Sequence, residues 1–171
     1  MRIAVRSLVL LTAVILINNC TGKNAQEYFD SGLANIKNSK YEEALKDFEF
    51  IINEYPDNEL ALNAYFEMGK IFHGKLIKSY SSNESSEQAV EYYKIVAEKY
   101  SSSPLAPNAL FMVGFIQANE LSQLGKAKET YSKFLEKYPD SELANSAQAE
   151  LDNLGVPAEE ILMKKLREEQ N

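Results

Sequence analysis

One phrase recurs three times along this chain of 171 residues and limits what it can fold into. It reads EYPDNELALNAYFEMG from Glu54, KYSSSPLAPNALFMVG from Lys99 and KYPDSELANSAQAELD from Lys137. Tyr55, Leu60, Ala61 and Ala64 of the first copy match Tyr100, Leu105, Ala106 and Ala109 of the second. They match Tyr138, Leu143, Ala144 and Ala147 of the third. The residues between the phrases repeat as well. Gly32, Gly69 and Gly114 hold equivalent places, 37 and 45 residues apart. So do Ala44, Ala89 and Ala127, then Phe48, Tyr93 and Tyr131, then Ile51, Val96 and Phe134. Self-similarity at such a period marks a stack of supersecondary units, each burying its apolar face on the next.

The unit is a pair of helices. Tyr41, Ala44, Leu45, Phe48, Ile51 and Ile52 fall at i, i+3, i+4, i+7, i+10 and i+11, one face of an amphipathic helix. A stop follows in Tyr55-Pro56, and Asp57-Asn58 offers caps for the next helix. Gly and Ala at the matched places allow close approach of two helix backbones, and the matched aromatics fill the space between them. The expected fold is all-α: a short α-solenoid of about three helical hairpins over residues 25–155, closed by C-terminal capping helices.

These residues resemble the tetratricopeptide repeat (TPR). Repeat one supplies Tyr28, Gly32, Ala44, Phe48 and Pro56. Repeat two supplies Tyr65, Gly69, Ala89 and Tyr93, with Ser101 in place of the closing proline. Repeat three supplies Leu110, Gly114, Ala127, Tyr131 and Pro139. The resemblance implies a concave groove lined by the first helix of each hairpin. On it would stand Phe29, Phe66 and Phe111, then one turn on Leu33, Lys70 and Phe115, then Ile36, His73 and Ala118. An apolar stripe of this kind, which packing within the repeat is not expected to require, suits a peptide or a helix from a partner protein. In the third phrase Gln148-Ala149 replaces Tyr65-Phe66 and Leu110-Phe111, so the groove is expected to end there.

Two stretches depart from the repeat. Hairpin two is longer, and its extra residues 78–88 read KSYSSNESSEQ, serine-rich and without apolar periodicity. A mobile loop, a tolerated insertion or a partner contact, is expected there. After the array, residues 156–171 read as a further helix: Pro157 near its start, acids in its first turn and Lys164, Lys165 and Arg167 later. Ile161, Leu162 and Leu166 are expected to pack on the array as part of the cap.

The N-terminus reads as an address. Arg2 and Arg6 precede a run of ten residues, Leu8 to Ile17, apolar but for Thr12, which spans only about 15 Å as a helix, half of what a bilayer needs. It fits the core of an export signal over residues 1–19. Ile17-Asn18-Asn19-Cys20 resembles the lipobox of bacterial lipoproteins, in which cleavage leaves the cysteine to carry diacylglycerol. The resemblance implies lipidation of Cys20, residues 20–24 as a short tether, and a place at a bacterial envelope membrane, the outer one facing the periplasm in preference. A soluble secreted protein or an uncleaved anchor is the other reading of this segment.

Composition narrows the function. The formal net charge is -7, which disfavours nucleic acid. There is one Cys and one His, too few for a disulfide framework or a Cys/His zinc site. No nucleophile–base pair, phosphate loop or metal spacing is present, so no cofactor, metal, small-molecule substrate or catalytic residue is expected. His73 reads as a polar contact. The repeated phrase is similar to that of the outer-membrane β-barrel-assembly lipoprotein family, which implies a role in inserting barrel proteins. It also resembles the TPR domain of the Tol–Pal-associated periplasmic protein, which implies envelope or division coordination. A scaffold binding another envelope protein is therefore expected, with a structural spacer, or an enzyme assembled on the groove, as the competing classes.

Overall fold

The computed structural model describes residues 23–168, so the signal segment and Cys20 lie outside the described residues. Eight helices follow one another there: α1 (Ala25–Lys37), α2 (Tyr41–Glu54), α3 (Glu59–His73), α4 (Ser82–Lys99), α5 (Ala106–Asn119), α6 (Leu124–Lys137), α7 (Ala144–Asp152) and α8 (Ala158–Glu168). From α1 to α7 each helix packs on the next in the chain, and α1 also touches α3. That is the contact pattern of an α-solenoid built from the hairpins α1–α2, α3–α4 and α5–α6.

The repeated phrase builds the joint between hairpins. Tyr55, Tyr100 and Tyr138 are the residues that close α2, α4 and α6, and their N–H groups donate to the carbonyls of Ile51, Val96 and Phe134. Asn58 then caps α3 by accepting from the N–H of Leu60 at 2.9 Å. Within each hairpin the turn contains one non-glycine residue in the left-handed region, Ser39 (φ 57°), Lys75 (φ 54°) and Ser122 (φ 52°). The α3–α4 connection, residues 74–81, is the longest of the three, against 38–40 and 120–123.

The core is a column of aromatic rings facing glycines. Phe48, Tyr93 and Tyr131 are buried. A Cβ on Gly32 would come within 2.5 Å of the Phe48 ring, one on Gly69 within 2.8 Å of Tyr93 and one on Gly114 within 2.8 Å of Tyr131. Ala44, Ala89 and Ala127 are completely buried, as are Ala64, Ala109 and Ala147 in the joints. Small residues thus sit wherever two backbones converge, and one ring per hairpin fills the space left.

The expected loop at residues 78–88 is corrected. Helix α4 starts at Ser82, and Ser81 caps it in a reciprocal box. The Ser81 hydroxyl accepts from the N–H of Glu84, while the Glu84 carboxylate accepts from the N–H of Ser81 at 2.8 Å. Ser85 and Ser86 are buried against the array. Serine-rich composition suggested a mobile loop, but serine is small enough to bury on a helix. The spacing Ser81-x-x-Glu84 was the stronger local signal.

The end of the array also differs from expectation. α7 covers α6 through Ala147. In α8, however, Leu162 and Leu166 are exposed rather than packed on the array, as is Met163. α7 has only nine residues and several alanines, so it offers α8 little apolar surface. Gly155 (φ 78°) turns the chain between the two helices.

Gly69→Ala is expected to destabilise the protein by about 1–3 kcal/mol through overpacking against Tyr93. Gly125, at the start of α6, has open space around its Cβ position. Gly125→Ala is therefore expected to be neutral or to stabilise by up to about 1 kcal/mol. Thermal or urea unfolding of the two variants checks the contrast.

Candidate functional site

The residues that could meet a partner stand on α1, α3 and α5 at helical spacing. Phe29, Leu33 and Ile36 lie on α1, Phe66, Lys70 and His73 on α3, and Phe111, Phe115 and Ala118 on α5. In each set the residues are four and then three apart, so they share one side of their helix. Leu33 is 40% exposed, unusual for a leucine next to a packed core. Phe29, Phe66, Phe111, Phe115, Ile36 and Ala118 are half-buried and packed on the core cluster.

The three phenylalanines do more for the fold than expected. The Phe29 ring lies 5.6 Å from Phe48, Phe66 lies 5.4 Å from Tyr93, and Phe111 lies 5.8 Å from Tyr131 and 6.1 Å from Phe134. Each therefore rests on the glycine-facing ring of its own hairpin. Packing within the repeat uses one side of Phe29, Phe66 and Phe111 and leaves each ring half-buried. The stripe is consequently held in place by the core beneath it.

Lys70 is exposed and pairs with Glu67 at 2.8 Å on the same helix. His73 has a longer-range role. Its Nε2 lies 2.9 Å from Oε1 of Glu120, at the end of α5, and its ring meets Phe115 edge-on at 6.2 Å. The other oxygen of Glu120 receives Lys75 at 3.1 Å and the hydroxyl of the buried Ser86. This bridge joins α3, the α3–α4 turn, α4 and α5. Sequence reasoning found His73 but not Glu120, Lys75 or Ser86. Glu120 lies outside the repeated positions, and nothing in local patterning ties it to a residue one hairpin earlier.

Burial is the largest influence on the Glu120 carboxyl and pushes its pKa up. The hydrogen bonds from Ser86 and Lys75 and the charges of His73 and Lys75 outweigh it, and the group ends below its ordinary value of 4.5. The stripe runs on at Ala118 into a shallow cleft of about 630 Å³, where Asn119 and Leu124 face Ala149, Val156 and Ile161. Where α1, α3 and α5 present phenylalanine, α7 presents Ala149, which is exposed.

A family model described as YfiO, outer membrane lipoprotein, matches residues 21–156. No curated protein matches the chain.

Since folding lowers the pKa of Glu120, its stabilising effect is present above 4.5 and is lost as the pH falls through the lower folded value. Glu120→Gln is expected to lower stability at neutral pH by on the order of 1 kcal/mol. Thermal midpoints of variant and wild type are expected to converge as the pH drops below 4.5. A gap that stays constant with pH would contradict this.

Proposed function

We propose, on the premise that this chain belongs to the YfiO family of outer membrane lipoproteins, that it is a membrane-anchored scaffold whose α1–α3–α5 face binds a segment of another envelope protein. The observation that carries the reading is the phenylalanine stripe: Phe29, Phe66 and Phe111 on successive hairpins, each fixed from below by a core ring. A preordered aromatic surface binds an extended segment or a helix at little entropic cost. Leu33 widens the apolar surface at one end, and Lys70 and His73 place polar contacts at its middle. A scaffold with no reaction of its own suits these side chains, whose polar members are engaged in pairing with Glu67 and Glu120.

The anchor in this proposal is Cys20, diacylated after removal of residues 1–19, and the membrane is the outer one, with the array in the periplasm. Similarity of the repeated phrase to the barrel-assembly lipoproteins supports an outer-membrane protein, or a component that assembles one, as the partner class.

In a crosslinking pull-down from intact envelopes, Phe66→Ala combined with Phe111→Ala is expected to reduce partner capture by on the order of tenfold or more. These rings also touch the core, so Leu33→Asp serves as a second variant at an exposed position; it is expected to weaken capture without changing the melting temperature. Undiminished capture in both variants would leave a spacer without a groove ligand. Cys20→Ala is expected to move the protein from the membrane fraction to the soluble one and to abolish palmitate labelling.

A further inference from the structure

An aromatic cluster lies at the opposite end of the array from α8, where the described chain begins. The Tyr28 and Phe50 rings stack at 4.0 Å, and Tyr55 adds a third ring 6.3 Å from Phe50. Phe50 is 37% exposed. The repeat does not ask for an aromatic there: the equivalent residues are Ile95, half-buried in α4, and Lys133, exposed in α6 and paired with Glu98. Phe50 is therefore the ring that hairpin one adds to two repeat positions, since Tyr65 and Tyr100, the equivalents of Tyr28 and Tyr55, also lie close together at 6.3 Å; among the described residues no hairpin precedes hairpin one.

The first described residue is fastened to this cluster. The Tyr55 hydroxyl donates to the Lys23 carbonyl at 3.4 Å, and the Lys23 ammonium lies 5.4 Å from the centre of the Tyr28 ring. Lys23 is the first described residue and stands three residues after Cys20. Three residues reach at most about 11 Å. A lipid chain on Cys20 would thus hold Tyr28, Phe50 and Tyr55 within reach of the headgroup layer. Tyrosine rings with polar tips, a phenylalanine and a lysine are the residue types that settle at such a boundary. The net charge of -7 makes attraction to anionic lipid a poor means of docking, which leaves the rings to do it.

We infer that the Lys23–Tyr28–Phe50–Tyr55 cluster is a membrane-contact surface that seats hairpin one in the lipid interface and sets the angle at which the array leaves the membrane. This rests on the lipid-anchor reading above and adds a second contact to it. The chain contains no Trp, so Phe50→Trp provides a single emitter at the exposed ring of the cluster. The full-length lipoprotein is purified, mass spectrometry records whether Cys20 carries diacylglycerol, and the protein is placed in phosphatidylcholine vesicles with bromine near the headgroups. Phe50→Trp is expected to emit at shorter wavelength and to be quenched, whereas Lys133→Trp, at the equivalent exposed position of α6, is expected to remain unquenched. Far-UV circular dichroism confirms that both variants are folded. An unquenched Phe50→Trp on a lipidated chain overturns the contact surface and leaves the anchor standing. Quenching on a chain with unmodified Cys20 supports the surface and overturns the anchor. An unquenched Phe50→Trp on an unmodified chain overturns both.

Discussion

The contact between one ring and one glycine in each hairpin governs the rest of this structure. Phe48, Tyr93 and Tyr131 occupy the space that a Cβ would take on Gly32, Gly69 and Gly114. That contact sets how closely the two helices of a hairpin approach. The approach in turn demands alanine where backbones meet, at Ala44, Ala89 and Ala127, all completely buried. It also decides the surface. Phe29, Phe66 and Phe111 rest on the same three rings, so the face proposed for a partner is the upper layer of the core. On the proposed reading, stability and recognition are coupled at these positions. A change to a core ring disturbs the stripe, and truncation of a stripe ring uncovers the core.

Much of this was legible in the sequence because it depends on local spacing repeated at a distance. Glycine, alanine and aromatic residues recur in register, and the closing tyrosines mark where the second helices stop. The groove residues were placed on their helices by the same register. What composition concealed was α4: a run of serines looks like a loop, yet Ser81 and Glu84 form a capping box and Ser85 and Ser86 are buried. The half-buried state of Phe29, Phe66 and Phe111 was not legible either, since it requires knowing which ring lies beneath. The groups that meet at Glu120, namely His73, Lys75 and Ser86, were further out of reach. They converge from three elements, and contacts that depend on tertiary approach leave no periodic trace.

The two ends of the array are unlike, which follows from what each carries beyond the repeat. Hairpin one adds Phe50 to Tyr28 and Tyr55 and holds Lys23 by both its carbonyl and its ammonium. The other end closes with a short alanine-rich α7, and α8 beyond it leaves Leu162, Met163 and Leu166 at the surface. The family match, over residues 21–156, takes in the whole array and stops short of α8.

The bridge through Glu120 has a mechanical consequence. Solenoids whose units touch only their neighbours bend like springs, and their curvature is set junction by junction. Between the first two hairpins, α1 and α3 are in direct contact. Between the second and third, His73, Lys75 and Ser86 converge on a single carboxylate at the end of α5. Two different fastenings therefore hold successive hairpins together. Such cross-links stiffen an array against unrolling, and the proposed partner segment would meet a surface whose pitch is already set.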